Sequence, residues 1–266
     1  MKEAHFGGKI GPTYRESEPE LSESTSSVGS PNVLIILLDD TGFGNFGCYG
    51  STIATPNMDA LAANGLRYNN FHVTPLCSPS RACLLTGRNH HAVGMATIAG
   101  GGDAGYPNQR GRISRHAATL PEMLREEGFA TFALGKWHLN PGPHNSAAGP
   151  HDEWPLQRGF DRFYGFLPGA TDQFVPELTY DNHPVTPPKT VEEGYHLTED
   201  LVDHAIEFVN DLKAVRSETP FFMYVAPGAM HNPHQAPQAY IDKYRGCFDE
   251  GWDVIRQRCF ERQKAL

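Results

Sequence analysis

Three short apolar runs, each spilling into polar residues, constrain this chain more than any other feature. The strand expected over Asn32 to Leu38 is apolar from Val33 onward and ends in Asp39-Asp40, and Phe129 to Leu134 leads into Gly135-Lys136-Trp137-His138. Phe221 to Ala226, introduced by Pro220, leads into Met230-His231-Asn232-Pro233-His234. Runs without polar alternation suit strands buried on both faces, and the first is expected in mid-sheet with helices on either side. Helical signals lie between them. Thr55-Pro56 opens a short segment closed by Gly65, Thr119 caps one running to Glu127 and ended by Gly128, and Leu197 to Leu212 places apolar residues at helical spacing. Leu66 to Phe71 reads as a further strand, and Gly142 to Pro188, rich in Pro, Gly, His and aromatics, as long loops over a site. Strands alternating with helices predict an α/β fold with a doubly wound, mixed but mainly parallel sheet and helices on both faces. Ligands of such sheets bind beyond the carboxyl ends of the strands, where the polar clusters fall.

The remaining composition narrows the class. Residues 1–30 are polar and carry the run Ser22-Glu23-Ser24-Thr25-Ser26-Ser27, so they are expected to form a flexible tail ahead of one catalytic domain over 31–266. With 22 basic and 31 acidic residues the net charge is −9, and no basic block stands out, which argues against nucleic acid and anionic membranes as partners. Five scattered cysteines with no Cys-x-x-Cys predict neither a disulfide framework nor a thiolate zinc site. Together with the lack of a secretory pattern or a spanning apolar run, this predicts a cytoplasmic protein.

Adjacent carboxylates at the end of a buried strand call for neutralisation, and Asp39 and Asp40 offer hard oxygens suited to Ca²⁺ or Mg²⁺. The alternative is a loop-start pair capping backbone amides. The segment Pro75-Leu76-Cys77-Ser78-Pro79-Ser80-Arg81-Ala82-Cys83-Leu84-Leu85-Thr86-Gly87 reads as a nucleophile site at a helix start.

This segment resembles the signature of the sulfatase family, in which the cysteine of Cys-x-Pro-Ser-Arg is oxidised to formylglycine. The resemblance covers about Pro31 to Leu266 and implies an alkaline phosphatase-like fold. It also implies hydrolysis of aryl or alkyl sulfate esters, a divalent cation, and a partner in the formylglycine-generating machinery. It makes Asp39, Asp40 and the residue-77 oxygen metal ligands. Cys77 becomes the aldehyde whose hydrate attacks sulfur, with the second hydroxyl expelling sulfate. Pro79 and Arg81 match positions that the modifying machinery reads in this family, and the Arg81 guanidinium fork also suits the diol oxygens. By the same resemblance Lys136 contacts a sulfate oxygen, His138 hydrogen-bonds the diol and His231 serves the leaving group. The bland alternatives are a surface salt bridge for Arg81, a snorkelling Lys136 and a satisfied loop His138. Cys48 and Cys83 are assigned to packing, His234 to a loop. Asp181-Asn182 precedes His231, whereas the family's Asp-Asn metal pair follows it, so no metal role is transferred to it. Family members are longer, and without their later metal pair the chain reads as truncated at its C-terminus, with weak metal binding expected. A phosphonate monoester or phosphodiester hydrolase on the same scaffold and an inactive remnant are the competing readings.

Overall fold

The computed structural model describes residues 7–20, 29–101 and 104–266. Of the expected tail, residues 1–6 and 21–28 lie outside the described residues. Six strands form one sheet: β1 (Val33–Ile36), β2 (Ala130–Lys136), β3 (Arg162–Phe166), β4 (Leu178–Tyr180), β5 (His183–Val185) and β6 (Phe221–Ala226), in the order β1-β6-β2-β3-β4-β5. The first four in that order run parallel, and β4 and β5 close one edge as an antiparallel hairpin.

Alternation along the strands splits the core in two. Ala133, Phe163, Phe222 and Tyr224 face Ala82 and Leu85 of α2 (Cys77–Thr86), with Leu120 and Leu124 of α3 (Leu120–Glu126) packed alongside. On the other face Phe132, Leu134, Tyr164, Met223 and Val225 meet Leu201, Ala205, Phe208 and Leu212 of α4 (Leu197–Val215). Helices thus cover both faces of a mainly parallel sheet, as the sequence pattern predicts. The remaining helices are α1 (Pro56–Ala63), α5 (Gln238–Lys243) and α6 (Trp252–Lys264).

Three expectations change. The first apolar run forms an edge strand rather than a central one: among the described residues β1 pairs only with β6, and Leu34 and Ile36 are each 55% exposed because α4 does not cover that end of the sheet. Leu66 to Phe71 forms no strand, and its Leu66, Tyr68 and Phe71 side chains are exposed. The region 142–188 holds β3, β4 and β5 rather than loops alone. Here Arg162-Phe163-Tyr164-Gly165-Phe166 is buried on both faces from Phe163 onward and draws its order from pairing with β2.

Thr119 caps α3 through a reciprocal pair, its Oγ1 accepting from Glu122 N–H and Glu122 Oε2 accepting from Thr119 N–H. The Thr119 hydroxyl also donates to the Arg158 carbonyl at 2.8 Å. Thr119→Ala is expected to cost about 1–2 kcal/mol, read from a urea melt, whereas a purely solvated hydroxyl would leave the midpoint unmoved.

Candidate active site

The polar clusters meet where the sequence places them, at the carboxyl ends of β1, β2 and β6. Past the end of β1, Asp39 N–H bonds the Ala229 carbonyl and Met230 N–H bonds the Asp39 carbonyl, which ties the carboxylate segment to the loop carrying His231. Cys77 is the first residue of α2, so the positive end of that helix faces any anion held there. Two residues beyond β2, His138 takes a left-handed backbone with φ of 54°. That turn aims its ring back toward Cys77, and Gly169 must lack a side chain there because a Cβ would press on the imidazole.

Cys77 Sγ lies 3.2 Å from His138 Nδ1, and His138 Nε2 lies 3.1 Å from the Ala99 carbonyl oxygen. A carbonyl only accepts, so Nε2 carries the proton and Nδ1 is free to accept from the residue-77 side chain. Burial first, then the charge of Lys136 and that of Arg81, lower the His138 pKa to about 4, so the ring is neutral at ordinary pH. Beside it, Lys136 Nζ bonds Asp39 Oδ2 at 2.5 Å, and Arg81 Nη2 lies 3.6 Å from Asp39 Oδ1. Arg81 Nη1 also donates to Tyr224 Oη at 2.8 Å and to the Lys136 carbonyl at 3.1 Å. All three charged side chains are buried, which excludes the surface salt bridge for Arg81 and the snorkelling role for Lys136. On the rim, His231 Nε2 lies 3.9 Å from Asp40 Oδ2, and Asp40 is largely exposed.

Every sequence-derived site residue therefore falls in one place: Cys77, Arg81, Lys136, His138, His231, Asp39 and Asp40. His234 is exposed, and Asp181 sits in the β4–β5 turn paired with Arg162 at 3.1 Å, away from the carboxylates. All five cysteines are free thiols. Two contributors escaped the sequence reading. Ser78 Oγ donates to the His138 carbonyl at 2.7 Å and accepts from Ala99 N–H at 3.0 Å, locking both walls around the imidazole. Tyr224 holds Arg81 from the middle of β6. Ser78 lies inside the quoted Cys77 segment, and Tyr224 is the one polar-tipped side chain of an apolar strand, so each had a faint signal.

The carboxylates match the donor chemistry of Ca²⁺ or Mg²⁺ but not a full ligand set. Among the described residues no group of three His, Cys, Asp or Glu side chains is placed to hold a metal ion, and both Asp39 oxygens face cationic side chains. Ca²⁺ takes about 6–8 oxygens. The described side chains do not make up such a site.

A family model, Sulfatase, matches residues 31–263. An uncharacterized sulfatase of Schizosaccharomyces pombe is 35% identical over 257 residues, covering 89% of this chain and 44% of that protein. Human arylsulfatase A is 35% identical over 241 residues, covering 83% and 45% respectively. The chain spans about half the length of the curated relatives it matches. Among solved structures, one bound to a neocarrahexaose superposes with a TM-score of 0.69 at 28% identity, over 88% of this chain and 54% of that one. Another, in complex with its substrate D-glucosamine-2-N,6-O-disulfate, gives 0.60 at 25% identity, over 82% and 38%. No helix among the described residues is long and apolar enough to cross a membrane. With the Cys77 segment, the buried cations and the sheet-end geometry in agreement, the chain belongs to the sulfatase family.

Proposed function

We propose that this chain forms the nucleophile-bearing part of a sulfuric ester hydrolase that cleaves sulfate esters, including those of sulfated sugars, at residue 77. The observation that carries this reading is the Cys77–His138 contact of 3.2 Å beside two buried cations. Formylglycine made from Cys77 supplies, as its hydrate, an oxygen nucleophile on that side chain. His138 Nδ1, neutral and within reach, accepts a proton from it. Lys136 and Arg81 offset the negative charge of a bound sulfate, and α2 presents its positive end to the same oxygens. His231, on the accessible rim, donates a proton to the departing oxygen. The carboxylates of Asp39 and Asp40 are the part of a divalent-cation site these residues supply, and weak cation affinity is the expectation for the chain alone. A sulfated sugar is favoured by the two solved relatives, whose bound ligands are carbohydrates.

The test is mass spectrometry of the tryptic peptide Tyr68–Arg81 after co-expression with a formylglycine-generating enzyme. An aldehyde at residue 77, together with aryl sulfate hydrolysis that disappears in Cys77→Ala, is the expected result. An unmodified thiol in folded protein would overturn the reading.

A further inference from the structure

A cavity of about 470 Å³ opens beside the catalytic cluster, and nothing in the chemistry above uses it. Its walls grow from the two segments that hold His138. Gly100 follows Ala99, whose carbonyl receives the imidazole N–H, while Pro141 to His144 begin three residues after His138. The remaining lining residue is Arg112.

Arg112 stands on a fixed backbone. Arg110 N–H bonds the Gly94 carbonyl, Ser114 N–H bonds the Val93 carbonyl, and the Ile113 carbonyl accepts from Arg158 Nη1. Its guanidinium nonetheless has no hydrogen bond or ion pair among the described residues, in a chain whose net charge is −9. His144, also on the lining, is secured through its main chain, N–H to the Pro141 carbonyl and carbonyl to Trp154 Nε1. Part of the wall is glycine backbone: Gly100 has φ of 77°, and a Cβ there would lie 3.5 Å from Gly142 Cα. The cavity is of small-ligand size and carries a planar donor fork, with His144 on its lining.

From this geometry we propose that the Arg112–His144 cavity is a subsite for a second sulfate group, on a saccharide whose scissile sulfate sits at residue 77. The inference rests on the sulfate-ester reading and narrows it to sugars with more than one sulfate. Arg112 takes two oxygens of the remote group through its guanidinium fork. No bond is made or broken there.

The test uses the chain with Cys77 left as the thiol, so that nothing is turned over. Glucosamine-2-N,6-O-disulfate and glucosamine-6-O-sulfate are titrated calorimetrically into the protein and into Arg112→Ala. The disulfate is expected to bind about tenfold or more tightly than the monosulfate, and Arg112→Ala to erase that margin while monosulfate affinity stays within about twofold. Arg112→Lys should restore only part of it, since a point charge cannot form the fork. An NMR shift of the His144 ring should follow the disulfate alone. Equal affinities for the two sugars, equal losses in Arg112→Ala, or no binding of the disulfate would each overturn the subsite. With the residue-77 aldehyde found, such a result leaves the hydrolase reading standing; failure of that reading is registered separately, by the unmodified thiol. Arg112 is only partly buried, and an unchanged melting curve for Arg112→Ala confirms that the comparison concerns binding.

Discussion

Asp39→Asn is expected to destabilise the fold by about 3–5 kcal/mol, measured as the shift in urea unfolding at neutral pH. The carboxylate is the only anion that Lys136 and Arg81 are seen to share among the described residues, and the Lys136 side chain is fully buried. Removing its charge leaves two cations inside the protein with no counter-ion. Arginine cannot shed its proton to escape that cost. The hydrogen bonds of Arg81 to Tyr224 and to the Lys136 carbonyl survive, and they replace part of the lost hydration. The double variant Asp39→Asn with Lys136→Met should regain at least half of the loss, because a similar-sized apolar side chain then fills the space without a charge. A loss below about 1 kcal/mol for the single variant would show that both cations reach water and that the cluster is not what secures the end of β1.

Acid is expected to weaken the fold through His138. Burial first, with the Lys136 and Arg81 charges adding, sets its pKa at about 4, against an ordinary value of 6.5. Between those values the unfolded chain binds a proton that the folded chain refuses. Stability from this group is therefore complete above about pH 6.5 and is lost as the pH falls toward 4, by about 3 kcal/mol in all. His138→Gln removes the titrating ring. Its urea midpoint, measured from pH 7 down to pH 4, should fall less steeply than that of the unaltered protein. Parallel curves would mean that the imidazole is solvated when charged and that burial beside Lys136 and Arg81 does not hold it neutral.

The parts of the site that could be read from sequence are those whose signal is local. Asp39, Cys77, His138 and His231 each follow or open an element marked by an apolar run or by a helix start. Where a residue's role depends on what lies opposite, the sequence is silent. The two acidic residues call for a cation, and the structure answers with Lys136, 97 residues away, at 2.5 Å from Asp39. No local pattern carries that distance. Strand order is hidden for the same reason: Val33 to Ile36 has the composition of a central strand, but its place at the edge is decided by where α4 packs. The three-residue strands β4 and β5 are too short for period-two alternation to show, and they exist because β3 offers them an edge. Ser78 and Tyr224 were overlooked because both act through other residues.

The edge position of β1 divides the site mechanically. Cys77 and His138 stand on α2 and just beyond β2, whose side chains are buried on both faces and whose strand is paired on both edges. Asp39 and Asp40 hang from a four-residue strand bonded along one side only, with Leu34 and Ile36 half in water. Fluctuations that open a protein without unfolding it start at such places. Peeling of β1 would carry both carboxylates outward as one unit and leave the thiol–imidazole pair in register. The acidic and nucleophilic halves of the site thus belong to two cooperative units of unequal local stability, coupled through Lys136 and Arg81 and through the two backbone bonds to the β6 loop.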